Sequence, residues 1–441
     1  MPKNINNTNA SEKKLSGKAI LVGVDTGTAT SGEYDYSSYD IEKSLDELER
    51  LLATAGGTVF ARMTQSKEAP DPRTYIGSGK VTELSDLCAD NEIELVVFDT
   101  ELSPSQIRNL EDRLGNVTVI DRSMLILDIF ALHAVTGEGK LQVELAQLKY
   151  TVPRLSGKGT ELSRLGGGIG TRGPGESKLE SDRRHIKRRI AALEAELEVL
   201  EKNRKTMRAS RDKSNMPGIA IVGYTNAGKS TLLNYFTNAG ILVEDKLFAT
   251  LDPTTRKLEL PCGEDVLLTD TVGFISRLPH HLVKAFKSTL DEAVYADILM
   301  IVIDASDSEY RRQISVTEKI LSELGADGKP TVYVFNKCDK SADELPVLPV
   351  GKDGEKKNAV YISATTGEGT DKLLEKLEEI IHDGKKLTVF KFPGSKAGLV
   401  NTLYQNSTVN NVDYGDEYIT VTAMTDERVR GMLSEYVTEV L

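Results

Sequence analysis

Short apolar runs alternate with stretches of helical spacing over the first quarter of the chain. Ala19–Val24, Val59–Met63, Leu95–Phe98 and Val117–Ile120 have the length of buried strands. Between them, Ile41–Leu52, Lys80–Ala89 and Pro104–Leu114 repeat apolar residues at helical spacing. Strands that alternate with helices predict a parallel sheet with helices packed on it. The texture then changes. Leu141, Leu145 and Leu148 recur at helical intervals, and Leu179, Ile186, Ile190, Leu193, Leu197 and Leu200 recur at seven, four, three, four and three. That is the seam of a coiled coil, and two such stripes predict an antiparallel helical hairpin, each helix burying its stripe against the other. A second α/β pattern runs from Ile219 to about His382. Beyond it, Leu387–Phe392 and Glu417–Thr422 read as strands and Asp426–Val440 as a helix.

These patterns divide the chain. The expectation is an α/β multidomain protein with a disordered tail (1–16), an N-terminal α/β domain (17–125), the hairpin (126–213) and a nucleotide domain (214–384). A small C-terminal α/β domain (385–441) completes it. The 441-residue length agrees, being too great for one core. Within the hairpin, the tip at 156–176 is peculiar. Eight glycines lie between Gly157 and Gly175, more than a simple reversal of the chain needs. From Arg154 to Arg189 there are ten Lys/Arg against four Asp/Glu, a local net of +6 in a chain of net charge −12. A cationic, glycine-rich tip on a rigid arm suits a phosphate-rich partner.

Composition narrows the class further. A hydrophobic fraction of 39% and a charged fraction of 28% are those of a soluble globular protein, and no run approaches the roughly 20 apolar residues of a membrane span. Met1–Leu15 is polar and offers no signal peptide, so a cytoplasmic location is expected. Cys88, Cys262 and Cys338 have no metal-ligand or disulfide spacing, and the five histidines form no ligand set or triad, which leaves buried thiols as the plain reading. A monomer is the expected state.

Chemistry enters at residue 223. Gly223-Tyr224-Thr225-Asn226-Ala227-Gly228-Lys229-Ser230 follows an apolar strand and precedes a helical segment, the context of a P-loop. Loop amides cradle phosphates there, Lys229 reaches the outer phosphates and Ser230 holds Mg²⁺. Asp270-Thr271-Val272-Gly273 ends another strand, placing an acid near the metal and a glycine N–H near the terminal phosphate. Asn336-Lys337-Cys338-Asp339 selects the base, because Asp339 can accept two hydrogen bonds that guanine offers and adenine does not. Ser363-Ala364-Thr365 stands where backbone N–H groups meet the base oxygen. Between the loop and Asp270 lies Phe248-Ala249-Thr250-Leu251-Asp252, followed by Pro253-Thr254-Thr255. This is a candidate switch, with Thr250, Thr254 and Thr255 all available to sense the γ-phosphate through Mg²⁺; an ordinary polar loop is the alternative. Lys229, a switch threonine and Gly273 form the expected catalytic set, with Ser230 and that threonine as metal ligands. Position 274 is Phe, which cannot orient water as glutamine does, so unaided hydrolysis should be slow. Asn226 either holds a monovalent cation such as K⁺ or merely braces the loop. Gly77-Ser78-Gly79-Lys80 lacks P-loop spacing and reads as a helix-capping turn.

The strings Gly-Tyr-Thr-Asn-Ala-Gly-Lys-Ser-Thr (223–231), Phe-Ala-Thr-Leu-Asp-Pro-Thr (248–254) and Asp-Thr-Val-Gly-Phe (270–274) resemble the HflX family of the Obg–HflX group. So do Tyr75–Val81 and the Gly-rich Gly166–Glu176. The resemblance spans nearly the whole chain and is least specific at the C-terminal end. It implies the domain order above and Thr250 as the switch threonine. It further implies that the protein binds GTP and the large ribosomal subunit with its rRNA, and separates stalled or idle ribosomes under stress. The tip would then enter the peptidyl-transferase region, with Arg164, Gly167, Gly168, Arg172, Arg183 and Arg184 as ribosome contacts. Two other readings stand beside it: a ribosome-assembly GTPase, and a nucleotide-sensing interaction module with negligible hydrolysis.

Overall fold

The computed structural model describes residues 17–27, 40–154, 174–211, 216–237, 240, 247, 248, 250–277, 279, 287–340, 346, 347, 358–383, 385–415, 417–425 and 427–440. The chain falls into two compact units. The first comprises Met1–Lys202 with Glu244–Asp252 and Ile275–Thr289; the second comprises Asn203–Val243, Pro253–Phe274 and Leu290–Leu441. Two stretches that follow nucleotide motifs in sequence therefore group with the N-terminal part.

In the first unit, β1 (Lys18–Asp25), β2 (Thr58–Ser66), β3 (Leu95–Phe98) and β4 (Thr118–Asp121) form a parallel sheet in the order β2-β1-β3-β4. Helices α1 (Ile41–Thr54), α2 (Ser78–Asp90) and α3 (Pro104–Leu114) alternate with them. The helix starts are written in the sequence. Asp40 accepts from the amides of Glu42 and Lys43, and Ser103 with Gln106 forms a reciprocal capping box before Pro104. Helix α4 (Arg122–His133) carries no period that sequence inspection could catch, because Leu125, Ile126, Leu127, Ile129 and Phe130 bury several faces at once.

Helices α5 (Gly137–Arg154) and α6 (Pro174–Arg211) follow. Arg189 forks onto Glu144 with two bonds of 2.7 Å, and Lys149 meets Glu194 at 2.7 Å. The expected leucine stripes need correction. On α5 the buried face is Gln142, Val143, Leu145, Ala146 and Tyr150, while Leu141 and Leu148 are half-buried, because α5 also packs on α4. On α6 Leu193 is buried and Ile186, Ile190, Leu197 and Leu200 only half-buried. Gly175 and Glu176 of the expected tip belong to α6, which Pro174 starts; residues 155–173 lie outside the described ones.

The second unit holds two sheets. In the first, β5 (Gly218–Gly223), β7 (Asp265–Asp270), β8 (Ile298–Asp304), β9 (Thr331–Asn336) and β10 (Asn358–Tyr361) run parallel, and β6 (Thr254–Glu259) pairs antiparallel with β7 at one edge; the order is β10-β9-β8-β5-β7-β6. Helices α7 (Lys229–Thr237), α8 (Lys287–Tyr295), α9 (Tyr310–Glu323) and α10 (Thr370–Ile381) connect these strands. Ile219, Ile221, Val266, Leu268, Met300, Val302, Val332 and Val334 make its core.

The other sheet is antiparallel, β12-β13-β11-β14, from β11 (Lys386–Pro393), β12 (Thr408–Tyr414), β13 (Tyr418–Thr425) and β14 (Val437–Val440). Helix α11 (Gly398–Asn406) covers it over Phe390, Phe392 and Val421. The helix expected over 426–440 is only α12 (Glu427–Met432), because the β-branched end of the chain pairs with the open edge of β11.

Candidate nucleotide site

The loop leaving β5 lies where the strand order reverses, with β8 on one side of β5 and β7 on the other. Open α/β sheets bind ligands there, at the carboxyl ends of the strands. Gly228 takes φ +94°, and a Cβ on it would stand 2.2 Å from Asn336 Nδ2. No other residue fits. Asn226 adopts φ +60° beside it. Lys229 opens α7 and is buried, its ammonium donating to the carbonyls of Gly223 (3.2 Å) and Tyr224 (2.8 Å). Burial pushes that ammonium down to about 8, against the pull of the Asp270 carboxylate, and the charge of Lys337 adds to the depression. An anionic ligand beside Lys229 would oppose that depression and favour the charged form.

Ser230 donates to Asp270 at 2.7 Å, so a hydroxyl and a carboxylate sit together at the N-terminus of α7. That oxygen donor pair beside a lysine is the set that holds Mg²⁺ with phosphates. The next loop is laced to the first. Thr225 N–H donates to Phe274 O at 2.8 Å, Phe274 N–H to Gly223 O at 3.0 Å, and Thr271 Oγ1 to Ile221 O at 2.7 Å. Gly273 passes so close that a Cβ would lie 2.8 Å from Thr225 Cα and 3.0 Å from Lys229 Nζ. Val272 is buried as well, and Phe274 is 1% exposed, its ring part of the core. It has no route to an attacking water.

Asn336 joins the two halves of the pocket. Its Nδ2 donates to Ala227 O at 2.9 Å, and its Oδ1 accepts from Ala364 N–H at 2.9 Å. Lys337, at φ +64°, is held by Asp304 at 2.7 Å. Cys338 N–H reaches Ile362 O at 3.2 Å, leaving Asp339 exposed with its carboxylate available. Ser363 is buried and Thr365 exposed. One unit thus brings together the glycine loop, the Asp270–Gly273 turn, the Asn336–Asp339 turn and Ser363–Ala364.

Comparison with known proteins shows the family. Family models described as GTP-binding GTPase N-terminal, GTP-binding GTPase Middle Region and 50S ribosome-binding GTPase match residues 42–131, 133–211 and 218–337. The chain is 50% identical over 401 residues to GTPase HflX of Caldanaerobacter subterraneus subsp. tengcongensis, covering 91% of this chain and 92% of that one. To GTPase HflX of Escherichia coli it is 44% identical, over 82% and 85%. The chain belongs to the HflX family of GTPases. A GTP-binding protein of Sulfolobus solfataricus, solved with GDP, is similar at 28% identity over 82% of this chain and 98% of that one, with a TM-score of 0.43.

In this HflX-family GTPase the candidate switch residues are engaged in the first unit. Phe248, at φ +58°, packs edge-on against Phe130 with ring centroids 4.7 Å apart. The Asp252 carboxylate accepts from Val135 N–H (3.1 Å), Thr136 N–H (2.9 Å) and Thr136 Oγ1 (2.5 Å), at the entrance to α5. Within that unit the Phe248 ring is packed and the Asp252 carboxylate is satisfied. Leu251 is buried and Thr250 half-buried in the same unit. The stretch after Phe274 is held likewise. Arg122, itself buried, pairs with Asp99 (2.8 Å) and Glu47 and donates to Ser276 O at 3.2 Å, while Arg277 meets Asp99 at 3.3 Å.

Sequence reasoning missed Asp304, Arg122, Asp99 and Asp252 in these roles. Only Asp304 and Asp99 carried a signal, each an acid ending an apolar strand. Arg183 and Arg184 are exposed on α6; Arg164, Gly167, Gly168, Arg172 and Ala249 lie outside the described residues. Among the described residues no helix is long and apolar enough to cross a membrane.

Proposed function

We propose that this GTPase docks on the large ribosomal subunit in its GTP state and splits or rescues stalled or idle ribosomes under stress, with hydrolysis resetting it. The observation that carries the reading is the basic face of α6. Arg183, Arg184, Lys187 and Arg188 are all exposed and belong to the +6 stretch of Arg154–Arg189, in a protein of net charge −12. A cationic helix of this kind binds a phosphate backbone through counterion release, so its grip on rRNA should weaken steeply with salt. The family description over residues 218–337, a 50S ribosome-binding GTPase, names the same class of partner.

At the pocket, the amides of 223–230 hold the phosphates, Lys229 neutralises their outer charge and Asp339 accepts the guanine edge. Ser230, with Thr250, would coordinate Mg²⁺, and Asp270 would stand beside it. That ion supplies charge against the phosphate oxygens when bound. Asn226 is the residue for K⁺ if one takes part. Phe274 gives no help to water, so hydrolysis is slow until the ribosome completes the site. Asp252, two residues from Thr250, holds the amides of Val135 and Thr136 just ahead of α5.

The test is sedimentation of intact ribosomes with protein loaded with GTP, a non-hydrolysable analogue or GDP. Free subunits should accumulate with the first two and not with GDP, and reversing the charges of Arg183 and Arg184 should weaken binding. Binding confined to immature particles would replace this reading with an assembly role.

A further inference from the structure

The turn between β6 and β7 and the last turn of α10 place four metal-ligating side chains together, away from the nucleotide pocket. The turn is rigid. Leu260 N–H donates to Glu264 O at 2.9 Å, Gly263 N–H to Leu260 O at 2.8 Å, and Gly263 takes φ +82°. Cys262 and Glu264 flank that glycine. On α10, Glu378 and His382 are four residues apart and so share one face, the spacing by which a helix presents two ligands to one ion. The Cys262 sulfur, a Glu264 carboxylate oxygen and a His382 ring nitrogen lie within 4.8 Å of one another. Glu264 meets His382 Nε2 at 2.9 Å, and Glu378 accepts from Cys262 N–H at 2.6 Å.

We infer that Cys262, Glu264 and His382 form a zinc site, with Glu378 or water as the fourth ligand. Ligand atoms around a tetrahedral zinc stand about 3.3–3.8 Å apart, from bonds of about 2.0–2.3 Å. The three atoms, all within 4.8 Å of one another, already lie close to those separations. The donor set decides the metal. One sulfur, one imidazole nitrogen and carboxylate oxygen suit zinc and its borderline neighbours, whereas magnesium and calcium need oxygen throughout. The surroundings already orient one ligand, since Thr408 donates to the other oxygen of Glu264 at 3.2 Å. Thr408 begins β12, so a bound zinc would fasten the β6–β7 turn to α10 and to the C-terminal sheet.

Cobalt(II) titration of the EDTA-stripped, nucleotide-free full chain tests this. A thiolate-to-cobalt band in the near ultraviolet should saturate at one cobalt per chain together with intense tetrahedral visible bands, and zinc should abolish both. Cys262→Ser, at an exposed position, should remove the near-ultraviolet band, and His382→Ala should weaken cobalt binding. Thr408→Val should weaken it about 10-fold or more, as loss of a ligand's supporting hydrogen bond does. Zinc should raise the melting temperature of the wild type and not of Cys262→Ser. No thiolate band in the wild type, or one that survives Cys262→Ser, overturns the inference. So does cobalt bound only with the weak bands of an all-oxygen site.

Discussion

Replacing Asn336 by Ala should damage the nucleotide pocket by unlinking two of its loops. Asn336 is 2% exposed and bridges Ala227 O to Ala364 N–H, which belong to residues 1% and 4% exposed. Truncation orphans one buried acceptor and one buried donor, each at a cost of about 1–3 kcal/mol. Water entering from the neighbouring pocket relieves part of that, which leaves about 3 kcal/mol. If the loss falls on the register between the glycine loop and the Ser363–Ala364 loop, GDP affinity drops roughly 100-fold. Calorimetric titration with GDP reads the affinity, and hydrogen exchange reads the Ala364 amide directly. Asn336→Asp separates the two bonds, since it still accepts from Ala364 N–H but sets an anionic oxygen against the Ala227 carbonyl; it should bind GDP no better than the alanine variant. GDP affinity within twofold of wild type and an Ala364 amide equally protected would refute the bridge.

Other expectations follow from the same geometry. Asp339→Asn should move base preference from guanine toward xanthine, whose C2 carbonyl accepts where the exocyclic amine of guanine donates; competition between the two diphosphates reads this. Gly273→Ala drives a Cβ to 2.8 Å from Thr225 Cα, so GTP hydrolysis should fall about 100-fold while GDP binding falls less, by single-turnover assay. Asp252→Ala should loosen the turn ahead of α5, where Thr136 Oγ1 caps Gly139 N–H, by about 1–2 kcal/mol, seen as roughly tenfold faster exchange of the Val135 and Thr136 amides. Asp128 is pushed up to about 6 by burial, partly offset by Gln147. Its folded state therefore holds a proton that the unfolded state releases near pH 4, so stability declines as pH rises from about 4 to 6. Asp128→Asn should raise the urea midpoint at pH 7.5 by an amount equivalent to about 2 kcal/mol and leave it unchanged at pH 4.

The nucleotide motifs were legible because each is local. A loop that must bend as Gly228 does, followed by a lysine at a helix start, has few sequence solutions, and short strands announce themselves by their apolar runs. Helix α4 was not legible, because a helix buried on several faces has no period. Nor was β14, whose short stretch becomes a strand only because β11 leaves an edge to pair with. The leucine stripes predicted that α5 and α6 are helices and misjudged which faces are covered, since coverage depends on α4 as well as on the partner stripe.

The residues of the site show the same division. Lys229, Ser230, Asp270, Asn336 and Asp339 were fixed by the sequence itself, for each stands beside a strand or helix end that its neighbours already determine. The tertiary structure alone decided that Asp252 holds Thr136, that Arg122 and Asp99 hold Ser276 and Arg277, and that Cys262 meets His382. The partners in these contacts lie tens of residues or more apart in the chain. No local propensity encodes them; they exist because burying the apolar faces of separate elements brings those polar groups to one place.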